Sequence, residues 1–466
     1  MKLSFHGATR TVTGSKHLLQ VNEDTRILLD CGMFQGMGKD TGTLNNDWGF
    51  DPAELTHVVI SHAHIDHTGL LPKLIKDGYK GKIYCTPPTA SLARILLVDS
   101  ARIQEADIRY VNKRRQKEHQ QLAEPLYTED DAERVFMHFE TIPYNELYQL
   151  AKGVELTFTD CGHILGSAAV NLKIRAQGTT TRLTFSGDVG RYRDMILRSP
   201  QTFPQADYII LESTYGDKLH DLMATANDKL LDHIVETCLK NKGKLVIPAF
   251  SLGRTQEILY MLNRLELEHR LPPIAYYVDS PLSVNITDAV KRYPGCFNAM
   301  VQDYLKKDDD VFSFKGLKHI EDVQDSIKLN DTDEPCVIIS ASGMAEAGRV
   351  KHHIANNISN PNNKILLTGY CEPLSLGGRL KHKPAEVTIF GKPYLVKAEI
   401  AEITSLSAHG DYEDLCQWLS CQDPRQVKKL FLVHGEYEVQ QNFKERLLRK
   451  GFTDLEIPEQ HAVFSI

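Results

Sequence analysis

Apolar positions alternate, or gather in short runs, over residues 1–212, and most runs close on Gly, Asp or His. Residues 2–6, 17–21 and 25–30 read as strands, the last two joined through Asn22-Glu23-Asp24 as a hairpin, so antiparallel pairing opens the chain. Residues 55–60 (L-T-H-V-V-I) form a β-branched run suited to a buried strand, and 70–76 read as a helix. A long helix is predicted over 89–119, with Leu92, Ile95, Leu96 and Val98 on one side. Its far end is basic (Arg102, Arg109, Lys113, Arg114, Arg115, Lys117) and reads as a solvated face whose charge also suits phosphate. Strands over 155–160, 182–186 and 208–212 complete this part.

Beyond residue 212 the pattern becomes an alternation of strands (244–250, 274–279, 336–340, 364–369) with helical stretches such as 255–265 and 349–358. Such alternation predicts an α/β domain with a mostly parallel sheet. The final segment returns to the earlier style, with strands expected over 402–406 and 429–433, each followed by a His. The economical organisation is one domain inserted into another: 1–212 and 396–466 form the first, 213–395 the second.

The length of 466 residues exceeds a single usual core and supports that division. A hydrophobic content of 42% and a charged content of 25% are those of a globular protein in water, and no apolar run reaches membrane-spanning length. The nine Cys are odd in number and form no C-x-x-C pair, which fits reduced thiols and a cytoplasmic location better than a disulfide framework. A net charge of -7 excludes a surface coated for non-specific nucleic-acid binding but leaves room for a local basic groove. No membrane association is expected, and a homodimer is compatible with the sequence.

The candidate chemistry centres on S-H-A-H-I-D-H-T-G at 61–69, which packs His62, His64, Asp66 and His67 where a strand gives way to a helix. Imidazoles two apart on an extended stretch can point one way while Asp66 and His67 open the helix beside them, a donor set suited to zinc and its first-row neighbours and able to load two ions. Asp30, His163, Asp188, Glu212, His409 and His434 also lie at or just past predicted strands, most of them beside Gly. Each alone reads as an ordinary turn residue; His163 and Asp188 together with the 62–67 cluster complete a six-ligand set. In the second domain, Ser251-Leu252-Gly253-Arg254-Thr255 and Ser340-Ala341-Ser342-Gly343-Met344 each follow a strand and precede a helix. Backbone N–H groups and hydroxyls can hold a phosphate at such places, which makes Ser251, Arg254, Ser340, Ser342 and Gly343 candidate phosphate contacts.

With these residues assembled, the chain resembles the metallo-β-lactamase superfamily and its β-CASP nuclease branch. The ordered set that carries the resemblance is Asp30, H-A-H-I-D-H at 62–67, His163, Asp188, Glu212, S-A-H at 407–409 and V-H-G-E at 433–436, with L-V-D-S-A-R-I-Q-E at 97–105 similar as well. The resemblance implies an αββα sandwich with an inserted α/β β-CASP domain that forms a lid over the metals. It implies two Zn²⁺ per chain, with Mn²⁺ or iron as alternatives: one at His62, His64 and His163, the other at Asp66, His67 and His434, with Asp188 bridging. Asp30 is expected to support the ligands from behind, and Glu212 and His409 match the branch's extra acid and His. A His at position 434 matches RNA-processing relatives, where a DNA-directed subgroup typically has Val. One segment, 371–380 (C-E-P-L-S-L-G-G-R-L), departs from the family pattern and bears on the substrate groove, not on the metals.

The expected activity is zinc-dependent hydrolysis of single-stranded RNA to 5′-phosphate and 3′-hydroxyl products, with His409 as general acid held by Glu212. Two rivals are weighed beside it. A dinuclear hydrolase of a small ester or thioester needs neither the large insertion nor the Glu212 and His409 pair, and a non-catalytic RNA-binding scaffold would show no stoichiometric metal.

Overall fold

In the strand Arg26–Leu29, Ile27 and Leu29 enter one apolar cluster while Leu28 enters another. The strand Lys429–Val433 repeats the division, with Phe431 and Val433 on one side and Leu430 and Leu432 on the other. A period of two with both faces apolar means sheets buried on both sides, which is the signature of a layered fold. The structure, a computed structural model, describes residues 1–176, 178–221, 225–369 and 371–466. They fall into two compact units: Met1–Tyr192, Ser199–Leu219 and His409–Ile466 form the first, Arg193–Arg198 and His220–Ala408 the second.

Among its described residues the first unit holds two seven-stranded sheets. In one, the strands Lys2–Gly7, Lys16–Gln20 and Arg26–Leu29 pair antiparallel, and His57–Val59, Lys82–Cys85 and Phe139–Thr141 follow in parallel. In the other, Val154–Asp160, Ala168–Ala176 and Thr179–Phe185 run antiparallel, and Tyr208–Glu212 and Lys429–Val433 add in parallel. Leu3, Phe5, Leu19 and Val59 of the first sheet share one core with Phe158, Val170, Phe185 and Ile210 of the second. Helices cover the outer faces: Leu71–Lys76 and Pro87–Lys117 pack over Leu28 and Val58, while Tyr412–Leu419 and Tyr437–Arg449 pack over Ile209 and Leu432. This is an αββα sandwich.

The second unit is built on a parallel six-stranded sheet in the order Leu317–His319, Ala275–Val278, Cys336–Ser340, Leu245–Pro248, Lys364–Leu367, Glu399–Glu402. Two features differ from the sequence reading. The strand expected over 402–406 lies earlier, at Glu399–Glu402, and pairs with Lys364–Leu367. The Ile403 N–H makes a last bond to the Leu367 carbonyl (2.9 Å) before the chain turns. Residues 193–198 also belong here, since Asn298 N–H donates to the Ile196 carbonyl (2.8 Å) and Leu197 bridges Phe297. No helix among the described residues is long and apolar enough to cross a membrane.

Candidate metal centre

Register brings the donors of the first unit to one edge. Leu29 pairs with Val59 in parallel, so Asp30 and the 61–64 stretch leave their strands side by side. Glu212 pairs with Val433 and Phe185 with Ile210, so Glu212, His434 and the loop bearing Asp188 leave theirs together. Asp160 pairs with Ala168, which closes the loop bearing His163 at that end. Close backbone approach then fixes the loops. N–H groups of Ser15, Cys31 and Met33 donate to the carbonyls of Asp66, His67 and Ile65 at 2.8, 2.8 and 3.0 Å. A Cβ on Gly32 would sit 1.6 Å from the Asp66 carbonyl oxygen, and one on Gly190 would sit 1.9 Å from that of Gly162. Only glycine allows these crossings.

Three imidazole nitrogens and a carboxylate oxygen converge as a result. His62 Nε2 and His64 Nδ1 are 3.2 Å apart, and His64 Nδ1 and His163 Nε2 3.3 Å. Asp188 Oδ2 lies 3.4 Å from His62 Nε2 and 3.5 Å from His163 Nε2. Donors about 2.0–2.1 Å from a tetrahedral ion stand about 3.3–3.4 Å from one another, so these four atoms have the spacing of one coordination shell. A second group lies beside it. His434 Nε2 is 3.3 Å from both His67 Nε2 and Asp66 Oδ2, and Asp188 Oδ2 is 3.4 Å from His67 Nε2. One oxygen of Asp188 is thus shared by both groups, while its buried Oδ1 has no hydrogen-bond partner among the described residues. A carboxylate left so among imidazoles fits a site for divalent cations.

Electrostatics prepare the donors. Burial pushes His62 and His163 well below the ordinary imidazole range and His64 down to about 4, which keeps them neutral with lone pairs available. His67 is also pulled down by burial, but Asp188, Asp66 and Asp30 outweigh it and raise its pKa well above the usual value. A cation arriving at His67 therefore displaces a proton, which couples metal binding to pH. Asp30 sits behind His67 and is fully buried. It accepts from His67 Nδ1 at 2.6 Å, from Ser61 N and Oγ at 2.8 and 2.9 Å, and from Ser15 Oγ at 3.2 Å. Thr214 Oγ1 lies 3.0 Å from His434 Nδ1 and orients that ring. Sequence reasoning missed Ser15 and Thr214, because a hydroxyl near a strand end carries no periodic signal.

Glu212 and His409 lie against this centre. The buried Glu212 accepts from the N–H groups of Val189 and Thr214 at 2.9 and 3.0 Å and holds His409 Nδ1 at 3.1 Å. His409 Nδ1 is 3.9 Å from Asp188 Oδ2. Burial lowers the His409 pKa, but Glu212 and Asp188 more than reverse this and raise it to about 9. Asp188, Glu212, His409 and His434 also converge closely enough to hold an ion, yet both Glu212 oxygens are already committed to N–H donors.

Domain models match along the chain: a metallo-beta-lactamase superfamily domain over residues 18–212, a Beta-Casp domain over 255–380, and a Zn-dependent metallo-hydrolase RNA specificity domain over 393–458. A Thermus thermophilus protein named Ribonuclease TTHA0252 is 35% identical over 94% of this chain and 94% of its own. The chain belongs to the β-CASP branch of the metallo-β-lactamase superfamily. Other β-CASP relatives are an RNase J-like protein of Methanocaldococcus jannaschii, 30% identical over 93% of this chain and 92% of its own, and Endoribonuclease YSH1 of Yarrowia lipolytica, 28% identical over 95% of this chain and 51% of its own. A crystal structure of a protein of unknown function from Enterococcus faecalis V583 covers 99% of both chains at 13% identity with a TM-score of 0.53, and shares the fold. The family implies a divalent metal, and the β-CASP chain described here carries the His and Asp groups to hold one.

In the β-CASP unit, the candidate phosphate loops leave the carboxyl ends of neighbouring parallel strands, Leu245–Pro248 and Cys336–Ser340, where open α/β sheets form their crevices. Gly343 packs on Phe250, where a Cβ would meet the ring at 2.6 Å. Two of the expected contacts are turned inward. Ser340 is buried and its hydroxyl donates to the Asp279 carbonyl at 2.8 Å, and the buried Arg254 guanidinium pairs with Glu257. Ser251 is buried in its turn, and Ser342 is half-buried. In the atypical 371–380 segment, Ser375 caps the helix Leu376–Lys381, and Gly377 N–H donates to the Met344 carbonyl at 3.0 Å, which ties the segment to the Ser340–Met344 turn.

Removal of the Asp30 carboxylate is expected to leave the fold intact while weakening metal affinity about 10–100-fold, because His67 loses the group that fixes its ring. Competition of Asp30→Ala against a chromogenic chelator measures this; wild-type affinity would show that Asp30 is not needed to aim His67.

Proposed function

We propose that the chain is a ribonuclease that hydrolyses phosphodiester bonds of single-stranded RNA to 5′-phosphate and 3′-hydroxyl products with two Zn²⁺ ions. His62, His64 and His163 would hold one ion and Asp66, His67 and His434 the other, with the Asp188 carboxylate available to both. The observation that carries the reading is the position of Asp188 Oδ2, within 3.4–3.5 Å of His62, His163 and His67. When bound, such a pair of ions lowers the pKa of an attacking water and offsets charge on the phosphoryl oxygens.

The chain's own residues do the rest. Glu212, fixed by two backbone N–H groups, holds His409 by Nδ1 and stabilises its protonated form. The proton therefore leaves from Nε2, to the 3′ oxygen as its bond to phosphorus breaks. Asp30 keeps His67 facing the site through its Nδ1. Ser251, Ser342 and Gly343 are the candidate phosphate contacts of the β-CASP unit, with Ser340 and Arg254 shaping their loops from behind. The names of the relatives, Ribonuclease TTHA0252 and Endoribonuclease YSH1, support RNA as substrate. The nine free thiols suit a reducing cytoplasm. A small-ester hydrolase would leave the Glu212–His409 pair without a task.

The experiment is incubation of zinc-loaded protein with RNA labelled at either end and bearing a 5′-monophosphate or 5′-triphosphate. The reading expects metal-dependent fragments with 5′-phosphate ends, and mononucleotides from the monophosphate form alone would mark 5′ exonuclease action. Intact RNA beside rapid hydrolysis of a thioester would overturn it.

A further inference from the structure

The helix Pro87–Lys117 begins at the metal centre and ends far from it. Thr86 Oγ1 and Thr89 Oγ1, at its start, both donate to the carbonyl of Gly166 (2.7 and 2.9 Å), in the loop that carries His163. At about 1.5 Å per residue, the stretch 109–117 lies about 33–45 Å along the helix from that anchor.

This stretch has a composition unlike the rest of a chain whose net charge is -7: Arg109, Lys113, Arg114, Arg115 and Lys117 are basic, and no acid falls among them. One face of it is covered. Asn112 exchanges hydrogen bonds with the backbone of Ala123 (2.9 and 2.8 Å), and Arg115 donates to the Gln121 carbonyl (2.9 Å). The opposite face carries Tyr110, Lys113, Arg114 and Lys117, spaced by three, one and three residues, so they share a stripe. Tyr110 is 80% exposed, an unusual state for an aromatic side chain on a helix that has a packed face available. Arg114 pairs with Glu118 at the helix end, and among the described residues no ion pair engages Lys113 or Lys117.

We infer that this stripe is an RNA-binding arm of the catalytic unit, on which Lys113, Arg114 and Lys117 contact the phosphates of a single strand and Tyr110 stacks on a base. The inference rests on the ribonuclease reading and extends it. A polyanion complements a run of five cations, and an exposed ring between cations is how sequence-tolerant single-strand binding is built. The arm engages only RNA long enough to run from the metal centre to the helix end, so its effect depends on substrate length.

The test compares wild type with the triple variant Lys113→Gln/Arg114→Gln/Lys117→Gln and with Tyr110→Ala. Binding of a long oligouridylate is followed by fluorescence anisotropy across salt concentrations, in a His409→Ala background that suppresses cleavage. The triple variant is expected to lower the salt slope of log K by about 2, because three phosphates keep their counterions instead of releasing them. Tyr110→Ala is expected to weaken binding about 5- to 150-fold. With His409 intact, KM for the long RNA should rise at little change in kcat, while cleavage of a trinucleotide and of bis(p-nitrophenyl) phosphate stays at the wild-type level and reports that the variants are folded. Unchanged affinity and slope in both variants would overturn the inference, as would a changed oligomeric state at unchanged RNA affinity, which would make the stripe a protein interface. If wild type hydrolysed the small diester but bound no RNA, the ribonuclease reading itself would fail.

Discussion

Asp188→Ala is expected to abolish two-metal occupancy and to reduce RNA cleavage on the order of 10⁴-fold, the scale seen when one member of a catalytic unit is removed. Its Oδ2 stands within 3.5 Å of donors in both groups, His62 and His163 on one side and His67 on the other. Its loss leaves His62, His64 and His163 as three neutral imidazoles able to retain a weaker single ion, whereas the group of Asp66, His67 and His434 loses its link to them. It also removes the foremost of the carboxylates that raise the His67 pKa. Metal analysis after dialysis, paired with an end-labelled RNA assay, reads both effects. Two ions per chain and near-normal cleavage in the variant would remove Asp188 from the centre.

His409→Ala is expected to keep its metals and lose about 10²–10⁴-fold in kcat, the usual worth of a positioned general acid. As a proton donor His409 would act in its protonated form, and its pKa, lowered by burial, is raised overall to about 9, chiefly by Glu212. Activity therefore holds at neutral pH and falls as pH rises through the value of the acid. Glu212→Gln removes the charge that raises it, so the alkaline limb should move to lower pH while metal content stays unchanged. A substrate with a good leaving group, such as a p-nitrophenyl phosphodiester, needs little help from an acid and should be far less sensitive to His409→Ala than RNA. Equal losses on both substrates, or a limb that does not move in Glu212→Gln, would take the proton-donor role from His409.

Much of the centre was legible in the sequence because each donor sits where an apolar run ends. Ile27 to Leu29 announce a strand and Asp30 its tip; Lys429 to Val433 do the same for His434. The return of short strands at the C-terminal end announced a domain interrupted by an insertion, whereas the αββα sandwich itself was implied by the family resemblance, and the two-faced burial of runs such as Leu430 to Val433 agrees with it. What could not be read was of two kinds. The strand Glu399–Glu402 is half acidic and lies at a sheet edge, so its pattern is weak, while the stronger apolar spacing of Ile403 and Leu406 drew the expectation to 402–406. Orientation was the other kind. Ser340 and Arg254 stand in the loops expected of phosphate contacts, but Asp279 and Glu257, distant or unremarkable in sequence, turn their polar atoms inward. Ser15 and Thr214 escaped notice for the same reason: their partners, Asp30 and His434, are near only in space.

The most direct test of the paired-metal claim is anomalous diffraction at the zinc edge from crystals grown with Zn²⁺. Two peaks are predicted on either side of Asp188 Oδ2, one bounded by His62, His64 and His163 and the other by Asp66, His67 and His434. A single peak, or density placed between Glu212 and His409 instead, would contradict the account.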